Sequence, residues 1–271
     1  MLNRVASIQM TSAHDVKHNL EIAKKLIADA AAENARLVVL PEMFALMGVD
    51  QLDKVKHKED ISHGLIQDFL YAQARQHKIW IVGGTIPISV SGNENKVHAA
   101  CLVINDLGEC VARYDKVHLF DVYLNSSQET YLESQNVEPG SQVVVVPTPF
   151  GRLGLAVCYD LRFPEMFRQM HEQQVEVIAV PAAFTYATGQ FHWDILVRAR
   201  ALENLAYVIT ACQTGTHENK RKTYGHSMIV NPWGMVVACL PEKVGIVVAD
   251  IDLNYQQKIR QDFPVLSHRK F

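Results

Sequence analysis

The first forty residues of the chain alternate between apolar runs and a segment of helical periodicity. Apolar residues recur at helical spacing between residues 18 and 34, and this period of about 3.6 residues predicts an amphipathic helix. Residues 4–10 and 37–40 are short apolar runs on either side of it, and Pro41 stops the second run. Such continuous runs are typical of strands buried on both faces. The pattern therefore predicts a strand, a helix and a second strand.

The same alternation continues to the C-terminus. We predict helices at residues 60–77, 163–173 and 190–205 and a short helix after Asp252; in the helix at 190–205, Ile195, Ala199 and Leu202 share one face. Predicted strands lie at 79–88, 143–146, 153–157, 175–180, 206–212, 227–231, 235–239 and 244–250, and a hairpin joins 97–105 to 109–114. These elements indicate an α/β protein in which helices cover a mixed sheet or two sheets.

Nothing in the pattern marks an internal domain boundary. The chain has 271 residues, and no repeat, low-complexity tract or Pro/Ser-rich linker interrupts it. A chain of this length can bury roughly three quarters of its surface around one core. We therefore predict a single domain over residues 1–271. The alternative is an α/β core followed by a C-terminal β subdomain that begins near residue 206.

Composition and charge exclude several classes of function. The chain is 48% hydrophobic and 20% charged, with a net charge of -3, which is ordinary for a soluble globular protein. Because acidic and basic residues are interspersed, the sequence shows no basic patch of the kind that binds nucleic acid or an anionic membrane. No apolar run approaches the roughly 18 residues of a transmembrane helix. The N-terminal residues lack a signal-peptide pattern.

The cysteines and the absent motifs narrow the chemistry further. Five cysteines, an odd number, are scattered without a C-x-x-C pair, which argues against a disulfide framework and a thiolate zinc site. We therefore predict a cytoplasmic location. Complete H-E-x-x-H, G-x-x-x-x-G-K-[ST] and G-x-G-x-x-G motifs are also missing. We therefore predict that the protein needs neither a metal nor a cofactor.

Three titratable residues each follow an apolar strand: Glu42, Lys116 and Cys158. Ligands of open α/β folds bind beyond the carboxyl ends of strands, so these side chains are placed to converge. A thiol needs a base to become an efficient nucleophile, a carboxylate can accept its proton, and an ammonium can stabilise an oxyanion. The structural alternative is a cysteine buried in the core and a Glu and a Lys that are exposed or paired with each other.

The residues around these three positions resemble the motifs of the nitrilase superfamily of carbon–nitrogen hydrolases. The similar segments are Leu40-Pro41-Glu42-Met43-Phe44, Tyr114-Asp115-Lys116-Val117-His118-Leu119 and Cys158-Tyr159-Asp160-Leu161-Arg162-Phe163-Pro164-Glu165. Their order and separations match as well, and the resemblance extends over essentially the whole chain. It implies a four-layer αββα sandwich. It also implies that Glu42 is the general base, Lys116 the oxyanion stabiliser and Cys158 the nucleophile.

The same resemblance adds two further site residues. A second acid of the family maps onto Glu133 in Tyr131-Leu132-Glu133-Ser134, and the backbone N–H of Tyr159 supplies the other half of the oxyanion hole. The implied activity is a thiol-dependent amidase that acts on linear amides through a thioester. The alternative from another class is a non-catalytic interaction protein on the same scaffold, which would have no need for all three of Glu42, Lys116 and Cys158.

More distant segments resemble the branch of the family that acts on deaminated glutathione. They imply that the substrate pocket contains Phe184, Thr185, His192, Trp193 and Arg221. For Trp193, a place in the core is an equal alternative. The sister branch, the ω-amidases that act on 2-oxoglutaramate, is the alternative activity. Ala182 stands where this branch leads us to expect Ser, and Asn231 where we expect Asp.

The resemblance also implies a homodimer, because members of the superfamily pair through helices that flank the active site. The C-terminal segment 262–271, which contains Phe263, Pro264, Val265 and Leu266, is suited to docking on a partner. The alternative is a frayed tail on a monomer. Beyond a second copy, the expected partner is a small-molecule amide, without nucleic acid or membrane.

Overall fold

The computed structural model describes residues 2–50, 52–124 and 129–270. Phe271, the last residue of the segment predicted to dock on a partner, lies outside the described residues, as do residues 1, 51 and 125–128 of the predicted domain. The strands are β1 (Leu2–Gln9), β2 (Leu37–Val39), β3 (Trp80–Val82), β4 (Ile86–Val90), β5 (Asn93–Ile104), β6 (Cys110–Asp115), β7 (Asp121–Leu124), β8 (Glu129–Leu132), β9 (Val145–Thr148), β10 (Gly151–Leu155), β11 (Val177–Ala182), β12 (Tyr207–Cys212), β13 (Thr214–Thr216), β14 (Lys222–Tyr224), β15 (Ser227–Val230), β16 (Val236–Leu240) and β17 (Gly245–Asp252).

Helices lie between and after these strands. The α-helices are α1 (Val16–Ala32), α2 (Asp53–Lys56), α3 (Leu65–His77), α4 (Pro164–Glu172), α5 (Tyr186–Asn204) and α6 (Leu253–Asp262), and short 3-10 turns span Glu133–Gln135, Cys158–Arg162 and Val265–His268. None of the helices in the described ranges combines the length and the apolar character that crossing a membrane requires.

Two large sheets organise these elements. The first has the order β17-β1-β2-β3-β5-β4, with β6 paired to β5, and the second has the order β16-β15-β12-β11-β10-β9. Strands β1, β2 and β3 are parallel, and so are β10, β11 and β12. Parallel neighbours need long crossover connections, which α1 and α3 supply in the first sheet and α4 and α5 in the second.

The period-two alternation of strand residues divides the apolar side chains between the two faces of each sheet. Val5 belongs to a core shared with the second sheet, whereas its neighbour Ala6 packs with α1 and α3. In the second sheet, a Cβ on Gly154 would meet Met170 of α4, so Leu153 points the other way, toward the first sheet. The layers are therefore helix, sheet, sheet, helix, which is the predicted αββα sandwich.

The C-terminal strands are divided between the two sheets: some belong to the first sheet and some to the second. Strand β17 pairs antiparallel with β1 along its whole length, from Leu2 opposite Asp252 to Gln9 opposite Gly245. Strands β12, β15 and β16 belong to the second sheet, beside β11. Elements on both sides of residue 206 therefore hydrogen-bond within the same sheets.

The predicted strand at 79–88 is two strands, so that prediction was wrong. Gly84 lies between β3 and β4 with a φ of +58°, and a Cβ there would lie 2.1 Å from the backbone oxygen of Pro41. Only glycine adopts this conformation without strain and also allows so close an approach. The break brings the loop after β3 against the residue that precedes Glu42. Helix α2 and the β7–β8 and β13–β14 hairpins were not predicted, because each of these elements is only three or four residues long.

Candidate active site

Glu42 follows β2 and Pro41, and its carboxylate is held by two donors. Oε1 accepts a hydrogen bond from Nζ of Lys116 at 2.8 Å, and Oε2 accepts one from the backbone N–H of Ala183 at 2.7 Å. The side-chain amide of Gln213 donates to the backbone oxygen of Glu42 at 3.1 Å. The residue is buried. These contacts, from elements distant in sequence, leave the carboxylate in one orientation.

Lys116 follows β6 and joins two carboxylates. Its ammonium donates to Oε1 of Glu42 at 2.8 Å and to both carboxylate oxygens of Glu133, at 3.1 and 2.8 Å. Burial lowers the pKa of this lysine, but the charges of Glu133 and Glu42 outweigh burial and raise the pKa above its ordinary value. Lys116 is therefore a fixed positive charge in a site that water scarcely reaches.

Glu133 begins the 3-10 turn after β8. Its Oε2 also accepts a hydrogen bond from the backbone N–H of Phe120 at 2.8 Å. Burial raises the pKa of this carboxyl group, but the ammonium groups of Lys116 and Lys54 outweigh burial, and the net pKa is lowered. Glu133 is therefore ionised, and its geometry suits it to fix the position of Lys116.

Cys158 lies at the sharp turn where β10 ends and a 3-10 turn begins. Its φ is +48°, a left-handed conformation that is rare for residues other than glycine and is common at functional sites. Only 7% of the residue is exposed. Burial, followed by the charge of Glu42, raises the pKa of the thiol well above its ordinary value. The resting thiol is therefore protonated and needs a base before it can act as a nucleophile.

Asp160 connects the turn of Cys158 to the strand that leads to Lys116. Its carboxylate accepts hydrogen bonds from the backbone N–H of Val157 at 2.7 Å and from the hydroxyl of Tyr114 at 2.7 Å. The backbone N–H of His118 donates to it at 3.1 Å, and Nδ1 of that ring lies at 2.7 Å. We did not predict this role for Asp160. Its position two residues after Cys158 was the available signal.

A cavity of about 490 Å³ joins these groups. Its walls include Glu42, Lys116, Glu133 and Cys158, together with four of the predicted substrate-binding residues, Tyr159, Phe184, Thr185 and Arg221. The guanidinium of Arg221 lies over the ring of Tyr131, 5.1 Å from the ring centroid, and donates to the backbone oxygen of Ala183. The structure therefore brings together residues that are widely separated along the chain.

His192 and Trp193 do not line this cavity. Trp193 is fully buried and packs against Phe184 with ring centroids 5.0 Å apart, and its Nε1 donates to the backbone oxygen of His226 at 2.9 Å. It supports the cavity wall from behind, as a core residue. His192 is exposed, and its Nδ1 lies 3.3 Å from the guanidinium of Arg162. Both residues lie inside α5, and helix periodicity places Trp193 on its buried side and His192 on its exposed side.

Lys54 of α2 lines the cavity and was missed by sequence analysis. It belongs to the run Lys54-Val55-Lys56-His57-Lys58, whose composition is that of a solvated surface segment. No sequence signal distinguishes it from its neighbours. Within the ranges 2–50, 52–124 and 129–270, no group of three or more His, Cys, Asp or Glu side chains is arranged to hold a metal ion.

Comparison with known proteins agrees with the family that the sequence motifs indicate. Residues 4–261 match the model of the carbon-nitrogen hydrolase family. The chain is 41% identical over 268 residues to a deaminated glutathione amidase of Synechocystis sp., covering 98% of this chain and 97% of that protein. It is 38% identical over 269 residues to the deaminated glutathione amidase of Homo sapiens, covering 98% of this chain and 82% of that protein.

Solved structures show the same similarity in three dimensions. The NitFhit protein of C. elegans superposes with a TM-score of 0.91 at 36% identity, over 99% of this chain, which spans 65% of that longer protein. Nit3 of Saccharomyces cerevisiae, a member of the nitrilase superfamily, superposes with a TM-score of 0.89 at 30% identity, over 100% of this chain and 97% of that one. With motifs, fold and nearly full-length similarity in agreement, the chain belongs to the carbon–nitrogen hydrolase family of the nitrilase superfamily and is an enzyme of the amidase type.

Proposed function

We propose that this amidase hydrolyses deaminated glutathione to 2-oxoglutarate and cysteinylglycine, with Cys158 as nucleophile. The observation that carries the mechanism is the buried contact of Lys116 with both Glu42 and Glu133 in the cavity that contains Cys158. The substrate is supported by relatives at 37–41% identity over nearly the whole chain that carry the name deaminated glutathione amidase. The pocket offers basic side chains to an acidic substrate.

In the first half of the reaction, Glu42 takes the proton of the Cys158 thiol, and the thiolate sulfur forms a bond to the amide carbon. Lys116 and the backbone N–H of Tyr159 stabilise the negative charge that develops on the oxygen. As the tetrahedral intermediate collapses, the carbon–nitrogen bond breaks and Glu42 gives its proton to the leaving nitrogen. The amine product departs, and a thioester remains on the sulfur.

In the second half, Glu42 takes a proton from water, and the resulting hydroxide attacks the thioester carbon. The carbon–sulfur bond breaks, the sulfur regains a proton from Glu42, and the carboxylic acid is released. Glu133 holds the ammonium of Lys116 toward the reacting oxygen throughout. No redox step or cofactor is required, because the two half-reactions only exchange protons and acyl groups.

A comparison of kcat/KM for two substrates tests the choice of substrate. Deaminated glutathione presents a bulky Cys-Gly leaving group, whereas 2-oxoglutaramate presents only an NH2 group. The cavity of about 490 Å³ lies in the range of pockets that enclose a drug-sized ligand. We expect kcat/KM for deaminated glutathione to exceed that for 2-oxoglutaramate by at least about tenfold. A preference for 2-oxoglutaramate would assign the protein to the ω-amidase alternative.

A mass spectrum after brief exposure to substrate separates an enzyme from a binding protein. An acyl adduct on Cys158 is expected for the thioester mechanism. The absence of an adduct and of turnover with every amide offered would favour the interaction protein. The contact of Lys116 with two buried carboxylates favours the enzyme, because removing charged groups from water is costly and an interaction protein has no need for them.

We further propose that the protein is a homodimer that pairs through an apolar surface on α5. The face that contains Ile195, Ala199 and Leu202 is turned outward, and Phe191 and Ile195 are each 67% exposed. Arg198 donates to the backbone oxygen of Gly234 at 2.9 Å, which places the exposed Trp233 and Met235 beside this face. Light scattering at micromolar concentration is expected to give twice the 30.5 kDa of one chain.

A cytoplasmic location and a single domain complete the proposal. All five cysteines are free of disulfides, which agrees with a reducing compartment. The ladder of β17 with β1 joins the two ends of the chain, which favours one cooperative unit. Fractionation of cells that produce the protein tests the first proposal. A single unfolding transition that coincides by fluorescence and circular dichroism tests the second.

A further inference from the structure

The peptide bond between Glu42 and Met43 is held at both of its polar ends by side chains. Its carbonyl oxygen, on Glu42, accepts a hydrogen bond from the side-chain amide of Gln213 at 3.1 Å. Its N–H, on Met43, donates to the hydroxyl oxygen of Thr85 at 2.9 Å. Thr85 lies between β3 and β4 of the first sheet, whereas Gln213 directly follows β12 of the second. Two separate parts of the fold therefore fix the peptide that adjoins the proposed base.

Met43 has a backbone conformation that depends on such contacts. Its φ is +57°, in the left-handed region that residues other than glycine rarely adopt. A residue in such a conformation persists only where its surroundings hold it, and such residues are common at active sites. Rotation of this peptide changes the backbone angle ψ of Glu42, and with it the direction in which the carboxylate reaches Lys116 and Cys158.

The side-chain amide of Gln213 has a single orientation. Its Oε1 accepts a hydrogen bond from the backbone N–H of Ser12 at 3.0 Å, and its Nε2 donates to the hydroxyl of Ser12 at 2.8 Å as well as to Glu42. The hydroxyl of Ser12 in turn donates to the backbone oxygen of Phe44 at 2.8 Å. Both N–H donors of the amide are therefore used, and Gln213 is fully buried. A flipped amide would place its oxygen against the carbonyl oxygen of Glu42.

Gln213 also supports the carboxylate end of Glu42 through the backbone. The N–H of Gln213 donates to the backbone oxygen of Ala182 at 2.8 Å. The next residue, Ala183, is the one whose N–H donates to Oε2 of Glu42. Gln213 therefore holds Glu42 directly at its main chain and indirectly at its carboxylate.

The proposed mechanism makes strict demands on the position of Glu42. The same carboxylate takes a proton from Cys158, gives one to the leaving nitrogen and later takes one from water. A general base must lie within hydrogen-bond reach of each proton that it moves, and misplacement by about 1 Å can lower a rate by roughly a hundredfold. A carboxylate that serves three partners in succession therefore needs a backbone that does not move.

We propose that Gln213 and Thr85 are positioning residues for the reaction, which hold the Glu42–Met43 peptide so that the carboxylate of Glu42 stays aligned for proton transfer. The inference rests on the proposed role of Glu42 as the base. In the part of the chain that the structure describes, Thr85 belongs to the cavity wall and Gln213 does not. A loss of rate in a variant of Gln213 therefore does not come from a lost contact with the substrate.

Steady-state kinetics of Gln213→Met with deaminated glutathione test the inference. Met keeps the length of the side chain but removes the amide. We expect kcat to fall by at least about tenfold and KM to stay within about twofold, because the residues that line the pocket are unchanged. Gln256→Met is the matched control, because Gln256 is also buried and its Nε2 also donates two hydrogen bonds, to the backbone oxygens of Glu176 and Leu205. It is expected to lower the melting temperature and leave kcat unchanged.

Variants of Thr85 test the other end of the peptide, and they decide the inference even where Gln213→Met fails to fold. Thr85→Val keeps the shape of the side chain but leaves the N–H of Met43 without its acceptor, so kcat is expected to fall by at least about tenfold. Thr85→Ser keeps the hydroxyl and is expected to retain most of the wild-type kcat. Thr210→Val is the matched control, because the buried hydroxyl of Thr210 likewise accepts a backbone N–H, from Met228 at 2.9 Å.

Alkylation of Cys158 by iodoacetamide separates this inference from the proposed function. The reaction needs the thiol to lose its proton, but it does not need an amide that the protein hydrolyses. We expect Gln213→Met to slow the alkylation of Cys158 at pH 7 by at least about tenfold. The exposed thiols of Cys110 and Cys239 are expected to react at the wild-type rate in the same sample. Slowed alkylation in a protein that hydrolyses no amide would reject the proposed function but retain the positioning role.

Three results would overturn the inference. A raised KM with an unchanged kcat would make these residues part of substrate binding. An equal loss of kcat in Gln213→Met and Gln256→Met would show a general loss of stability. Wild-type kcat and wild-type alkylation of Cys158 in folded Gln213→Met or Thr85→Val would show that the contacts only stabilise the fold.

Discussion

The hydroxyl of Tyr114 donates a hydrogen bond to the carboxylate of Asp160 at 2.7 Å, and both groups are buried. Tyr114 lies two residues before Lys116, and Asp160 lies two residues after Cys158. One contact thus connects the backbone that carries the proposed oxyanion stabiliser to the backbone that carries the proposed nucleophile. The relative position of the two groups depends on it.

Tyr114→Phe tests this connection. Removal of one hydrogen bond to a buried charged acceptor is expected to lower the free energy of unfolding by about 1.5–3 kcal/mol, and acylation of Cys158 is expected to slow. Denaturant unfolding and single-turnover acylation measure the two effects. Tyr123→Phe is the control, because Tyr123 is 70% exposed. Unchanged acylation by Tyr114→Phe would show that the contact only stabilises the fold.

Cys158→Ala is expected to abolish turnover while the fold is retained. The substitution removes the one cysteine that lines the described cavity, next to Glu42 and Lys116. Hydrolysis assays and circular dichroism measure activity and fold. Cys110→Ala is the matched control, because that thiol is exposed and is expected to leave activity unchanged. Turnover by Cys158→Ala near the wild-type rate would contradict the mechanism.

Glu42→Gln and Glu133→Gln are expected to differ in the step that they block. Glu42→Gln removes the base and is expected to stop thioester formation in a single turnover. Glu133→Gln leaves the base in place but weakens the hold on Lys116, so acylation is expected to be slow rather than absent. Quenched-flow mass spectrometry measures the adduct on Cys158. Rapid acylation by Glu42→Gln would refute its role as the base.

The free energy of unfolding is expected to fall as the pH rises above 9. Burial raises the pKa of Cys101, so the folded protein keeps this proton at a pH where the unfolded chain releases it. The stabilisation is complete below the unfolded pKa and declines above it, by up to about 1.4 kcal/mol per pH unit for one thiol. Urea unfolding between pH 8 and 11 measures the slope. Cys101→Ala is expected to show a shallower slope, and parallel slopes would contradict the assignment.

Ile195→Glu is expected to convert the proposed dimer into a monomer. A charge in the middle of the apolar face of α5 is costly to bury against a second copy, but Ile195 is exposed in a single chain. Light scattering is expected to give 30.5 kDa for the variant. Leu107→Glu is the control, since Leu107 is equally exposed on the turn between β5 and β6. A dimeric Ile195→Glu protein would place the interface elsewhere.

Local pattern alone determined most of the secondary structure. Hydrophobic periodicity predicts helix α1 and the strands around residues 4–10 and 37–40. The reason is that apolar residues recur along the sequence wherever the helix or strand turns a side chain toward the core. The motifs around Glu42, Lys116 and Cys158 also indicated the family, since the combination of a nucleophile, a base and a cation at these strand ends is specific to one kind of chemistry.

Only the tertiary structure decided which residues, distant from one another in sequence, line the same cavity. Trp193 and Lys54 show the reason: a tryptophan in an amphipathic helix suits a pocket or a core equally, and a lysine in a basic run suits solvent or a pocket equally. Their place depends on how α5 and α2 pack against the sheets, which local sequence does not encode. The break at Gly84 likewise follows from the approach of Pro41, a contact between segments that lie 43 residues apart.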